Sequence, residues 1–169
     1  GWQFMASFTA TKKNVPLPVN VGGGNSPAFN TLDPNSEIFA ADRTWEKGGR
    51  LSGSYMLPWD LLISANYSYQ SSDPNARTAL FRGGTTIPSI TLKVEPLTNY
   101  LPSVSVLNSR VEKRLALGRG QNVALRLNIY NTFNANTVTA MVMQSGPNFG
   151  RATAILPPRL FELSAAYNF

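Results

Sequence analysis

The segment from Leu160 to Phe169 reads LFELSAAYNF. Counted back from Phe169, the residues Phe161, Leu163, Ala165, Tyr167 and Phe169 share one side of an extended chain, and Glu162, Ser164, Ala166 and Asn168 share the other. A period of two predicts a strand between two different environments, one apolar and one polar. Its apolar side closes on the aromatic pair Tyr167 and Phe169, an end that would be a liability on a water-exposed sheet.

Five further segments alternate in the same way. Trp2, Phe4, Ala6, Phe8 and Ala10 alternate with Gln3, Met5, Ser7, Thr9 and Thr11, a length that suits a tilted membrane-spanning strand. A second strand is expected from about Lys47 to Leu57, a third over Leu61 to Gln70, a fourth over about Val104 to Leu117, and a fifth over Val123 to Phe133. Pro58-Trp59-Asp60 makes a very short turn between the second and third. Gly118 to Asn122 does the same between the fourth and fifth. The stretches 12–45, 71–101 and 134–159 are long and broken by Pro, Gly and Asn, although Ile90 to Val94 is a candidate short strand inside the second of them. Connection lengths therefore alternate long, short, long, short, long. A β-sandwich gives no reason for such parity, whereas a transmembrane barrel has long loops on one side and short turns on the other.

The facing follows from a magnitude. Placing Lys or Arg on a lipid face costs about 2–4 kcal/mol at the midplane and about 0–1 kcal/mol near the interface. In the fourth strand one phase would expose Arg110, Glu112 and Arg114, and the other only Lys113, close to the Gly118 turn and able to snorkel. The inward phase of the set then carries Arg50, Arg110, Glu112, Arg114, Arg126 and Glu162 as lumen-facing candidates. Two readings apply to them: a structural network across neighbouring strands, or a lining that guides an anionic ligand or holds a plug. Trp2, Trp45, Trp59, Tyr67, Tyr69, Tyr167 and Phe169 would form aromatic girdles.

Composition narrows the classes. With 43% hydrophobic and 14% charged residues and no run of 18 apolar residues, a transmembrane helix is excluded and a transmembrane barrel is not. The chain has no cysteine and no histidine, which removes disulfides, thiolate metal sites and the usual general base, and weighs against an enzyme. A net charge of +6 is spread from Lys12 to Arg159 without a basic helix or aromatic-interleaved cluster, so no nucleic-acid partner is expected. Asp33 to Glu37 spaces oxygen ligands like a calcium loop but lacks the required glycine, and Gly22-Gly23-Gly24 lacks the Lys-Ser or Lys-Thr of a phosphate cradle. Neither is taken as a site. The nine carboxylates are dispersed, and no catalytic, metal or cofactor residues are assigned.

The terminal strand resembles that of bacterial outer-membrane β-barrels, whose final alternating strand and closing Phe are read by the barrel-assembly machinery. On that resemblance Phe161, Leu163, Ala165, Tyr167 and Phe169 form the assembly signal. Several phrases, in order and spacing over about Arg50 to Phe169, look like the C-terminal end of TonB-dependent outer-membrane receptors, especially the Oar-like group with a carboxypeptidase-regulatory-like domain. They are GSYMLPW from Gly53, VEP from Val94, LP from Leu101, NSRVEK from Asn108, IYNTFNAN from Ile129, SGP from Ser145 and the final strand.

The resemblance implies an all-β, antiparallel transmembrane β-barrel segment of about six strands, residues 1–169 being the C-terminal part of a longer barrel. It implies contact with outer-membrane lipid and lipopolysaccharide, with the rest of the barrel and its plug, and with the TonB complex through an N-terminal part not in this chain. No cofactor is implied. Two other readings stay open: a self-contained small porin or adhesin barrel, and a soluble secreted β-sandwich that binds glycan or protein.

Overall fold

The computed structural model describes residues 1–13, 44–72, 74–83, 87–95, 99–118 and 120–169. Among these residues the chain is all-β, without a helix. Its strands are β1 (Trp2–Lys12), β2 (Trp45–Leu57), β3 (Leu61–Gln70), β4 (Pro74–Asn75), β5 (Thr78–Gly83) and β6 (Ile87–Lys93). They continue with β7 (Asn99–Tyr100), β8 (Val104–Gly118), β9 (Gln121–Tyr130), β10 (Val138–Met141), β11 (Ala152–Ile155) and β12 (Leu160–Asn168).

The six long strands form one antiparallel sheet in the order β1-β2-β3-β8-β9-β12. β1 and β12 are its two edges, and the sheet is open. Each expected strand is present, with ends moved by a few residues. The largest change is in the fifth, which ends at Tyr130 rather than Phe133. Asn131 and Asn134 adopt left-handed φ of 50° and 54°, a conformation asparagine tolerates. Phe133 consequently lies in the turn, 72% exposed, and not on the strand face expected for it.

Register fixes which side chains share a face. One row joins Trp2, Tyr55, Ile63, Val111, Leu127 and Leu163, and the next joins Phe4, Gly53, Ala65, Ser109, Ile129 and Phe161. Between these two rows, on the other face, run Gln3, Ser54, Ser64, Arg110, Asn128 and Glu162. Period-two alternation in the sequence thus becomes a two-sided sheet, apolar on one side and polar on the other. Glycines help set the β1–β2 register. A Cβ on Gly53 would stand 3.5 Å from the Phe4 ring and 3.3 Å from the Gln3 carbonyl oxygen, and one on Gly49 would stand 3.8 Å from Phe8. Each Phe of the edge strand lies over a position that has no side chain of its own.

Both short connections lie at one end of the sheet. Trp59 and Asp60 turn the chain at φ 67° and 55°, and Gly118 and Gly120 do so at 87° and 83°. The glycines adopt this freely, whereas for Trp59 it is strained by about 1–2 kcal/mol. At the opposite end two of the long connections are built rather than bare: β5 pairs with β6 and β4 with β7 between β3 and β8, and β10 pairs with β11 between β9 and β12, while residues 14–43 between β1 and β2 lie outside the described residues. The candidate strand at Ile90 to Val94 is thus β6, longer than expected and paired outside the main sheet.

The sheet has almost no core of its own. Ala124 is the one buried apolar residue among the described residues of the six strands, and Pro74 and Ala76 are buried in the connection after β3.

Candidate functional site

The polar face carries most of the ordered side-chain chemistry. Glu112 on β8 is 4% exposed and lies opposite Arg126 on β9. Arg126 Nε donates to Glu112 Oε2 at 2.9 Å, and Arg114 Nε donates to Oε1 at 2.8 Å. One carboxylate therefore serves two guanidiniums, the arrangement that makes its burial affordable.

One row away, Arg110, Asn128 and Glu162 stand side by side on β8, β9 and β12. Arg110 Nε donates to Asn128 Oδ1 at 2.6 Å, Asn128 Nδ2 donates to Glu162 Oε2 at 3.3 Å, and Tyr130 Oη donates to the same oxygen at 2.8 Å. Of the six residues expected to share this face, the structure joins Arg114, Glu112 and Arg126 in one network and Arg110 and Glu162 in a second. Arg50 stands apart on β2, exposed. The second network runs through Asn128 and Tyr130. Both occupy the inward phase of the fifth strand, and as neutral residues they carry no charge signal in the sequence.

Two open troughs cross this face. One, of about 370 Å³, is lined by Gln3, Ser54, Asn66, Asn108, Arg110 and Tyr130 among others. The other, of about 550 Å³, lies toward the long connections and includes Ser7, Thr9, Glu46, Arg50, Ser68 and Gln70.

The apolar face is exposed and large. Trp2, Phe8, Leu163 and Phe169 are 78%, 71%, 80% and 97% exposed. Phe161, Leu163, Ala165 and Tyr167 of β12 all project here, opposite Ile129, Leu127, Leu125 and Val123, and the Tyr167 and Phe169 rings stack with centroids 6.0 Å apart. Lys113, on β8 of this face, donates from Nζ to the Trp59 carbonyl in the short turn. At the other end of the face the Lys12 ammonium lies 5.8 Å from the Trp45 ring centroid.

The NTFN phrase at Asn131 has a structural role that sequence reasoning did not assign. Asn131 is 6% exposed; its Nδ2 donates to the carbonyls of Ala135 and Pro157, both at 2.8 Å, and its Oδ1 accepts from the Ala135 amide at 2.9 Å. Asn134 Oδ1 accepts from the Arg159 amide at 3.0 Å. Together they clamp the exit from β9 to the entry of β12.

The two long connections described at that end are also joined. Thr78 and Gln144 form a parallel bridge, the Arg77 guanidinium lies 4.7 Å from the Phe149 ring centroid, and Arg77 Nε donates to Ser145 Oγ at 3.0 Å.

Among the described residues no three His, Cys, Asp or Glu side chains gather as a metal site. The Asp33 to Glu37 and Gly22 to Gly24 segments lie outside the described residues. No described helix is long and apolar enough to cross a membrane, a fact silent about strands. No family model, curated protein or solved structure matches the chain.

Proposed function

We propose that this chain is part of the wall of a bacterial outer-membrane β-barrel, in a receptor of the TonB-dependent type that takes up or recognises a large ligand through its long loops. The observation that carries the reading is the uncovered apolar face. Six strands present Trp, Phe, Tyr, Leu and Ile side chains that no described layer covers, and burying each is worth about 1.5–3 kcal/mol. Lipid supplies that burial without a second layer. A soluble sandwich would need a facing sheet over Ile63 and Leu127.

The dimensions agree. On β2 the apolar phase runs from Lys47 to Leu57, about 33 Å along the strand and about 25 Å in height at a tilt of 40°, the height of a barrel's lipid band. Lysines sit toward the ends of this face: Lys12 beside Trp45, and Lys113 reaching the Trp59 turn. The two edges, β1 and β12, need partners in lipid, which remaining strands of a longer barrel would provide. On this reading the short turns are periplasmic, the long connections extracellular, and the polar face lines the lumen against a plug.

Substituting Leu127→Arg tests it. The expected result is a defect in assembly into outer membranes, from a cost of about 2–4 kcal/mol at mid-depth. A protein found in the soluble fraction, and unfolded in water by the same change, would establish the sandwich instead. Blotting fractionated cells with an antibody to residues 161–169 locates the natural protein directly.

A further inference from the structure

The charges of the polar face are segregated. Glu112 and Glu162 lie on β8 and β12, within the networks already described, and Glu46, at the loop end of β2, is ion-paired with Lys13. Between Glu46 and the two networks the β1–β3 part carries Gln3, Met5, Ser7, Ser54, Asn66 and Ser68. Two guanidiniums border this neutral field, Arg50 and Arg110. Among the described residues neither has a carboxylate within ion-pair distance; Arg110 bonds the neutral amide of Asn128, and Arg50 bonds nothing. Both are exposed, and each lines one of the two troughs.

We propose that this face binds a carboxylated oligosaccharide, with one acidic group on Arg110 and another on Arg50. Three features select that chemistry. Hydroxyls and amides donate and accept at once, as sugar hydroxyls do. A guanidinium pairs with a carboxylate through two parallel N–H donors. Tyr130 supplies an aromatic surface beside Arg110, 40% exposed and held in place by its bond to Glu162, against which the apolar face of a sugar ring can lie. An extended acidic peptide would instead call for side-chain pockets or a free strand edge, and both arginines stand on inner strands, Arg50 on β2 and Arg110 on β8.

Length follows from register. Arg110 stands opposite Ser64, and Ser64 opposite Ser54, four residues along β2 from Arg50. The Cα atoms of the two arginines are thus about 16 Å apart, from about 13 Å along the strand and two strand spacings across. An oligomer spans this and a monosaccharide does not.

The inference rests on the barrel reading only for the statement that this face looks into a lumen. Its test is calorimetric titration of the natural protein in detergent with tetragalacturonate, with the fully methyl-esterified tetramer, and with tetraglutamate. The acidic sugar is expected to bind at least ten times more tightly than the other two. Arg50→Gln and Arg110→Gln should each weaken it about tenfold, and Tyr130→Ala more than Tyr130→Phe. Equal binding of the ester would remove the arginines from the site, and equal binding of tetraglutamate would overturn the sugar assignment. Protein that assembles into outer membranes yet binds no tetramer overturns this inference alone. Soluble protein that binds the tetramer overturns the barrel reading and leaves the site standing.

Discussion

Arg126 Nε and Glu112 Oε2 are 2.9 Å apart across the β8–β9 pair, while the same carboxylate holds Arg114 with its other oxygen. Glu112→Ala would leave two cations without their acceptor. Because the Arg114 and Arg126 side chains are 55% and 36% exposed, water replaces part of the loss. The expected destabilisation is about 1–3 kcal/mol, measured as a lower urea midpoint in micelles, with a smaller loss for Glu112→Gln. An unchanged midpoint would show that the network adds nothing to stability.

Gly53 makes room for Phe4. Gly53→Val should destabilise the β1–β2 pair by about 1–3 kcal/mol, since its side chain must displace the ring or move the Gln3 carbonyl. The double variant with Phe4→Ala should recover part of that loss. Simple additivity of the two changes would mean that the ring and the glycine do not share the site.

Asn131 combines a left-handed backbone with a buried amide that makes three bonds. Asn131→Ala loses both and is expected to cost about 2–3 kcal/mol, whereas Asn131→Gly keeps the backbone freedom and costs less. Limited proteolysis between Asn134 and Arg159 provides the readout: cleavage should be fastest for the alanine variant. Equal rates in all three proteins would remove the clamp from Asn131.

The main sheet was legible in the sequence because alternation is a local signal. Each of the six strands announces its own two faces, and the short turns at Pro58 and Gly118 bring two of the pairs together. The β9 terminus was misplaced for a specific reason: Phe133 continues the alternation of Val123 to Ile129 by type, but the positive φ of Asn131 breaks it. The candidate site was half legible. Charge identified Glu112, Arg114 and Arg126, which lie within reach of one another along and across two adjacent strands. Asn128 and Tyr130 escaped notice because a neutral residue becomes a link only once register sets it beside Glu162. The Arg77 to Phe149 contact joins residues 72 positions apart in different connections, and no periodicity encodes it.

That contact, with the Thr78–Gln144 bridge, also bears on how the sequence can vary. Surface connections ordinarily accept insertions and drift independently. Here a lengthening within β5–β6 would leave the tie standing, but a deletion between Ala76 and Thr78, or between Met143 and Ser145, would unfasten both connections at once. Homologous chains should therefore change length at the hairpins and keep it at these two short stretches, with the residues facing each other across them drifting as a pair.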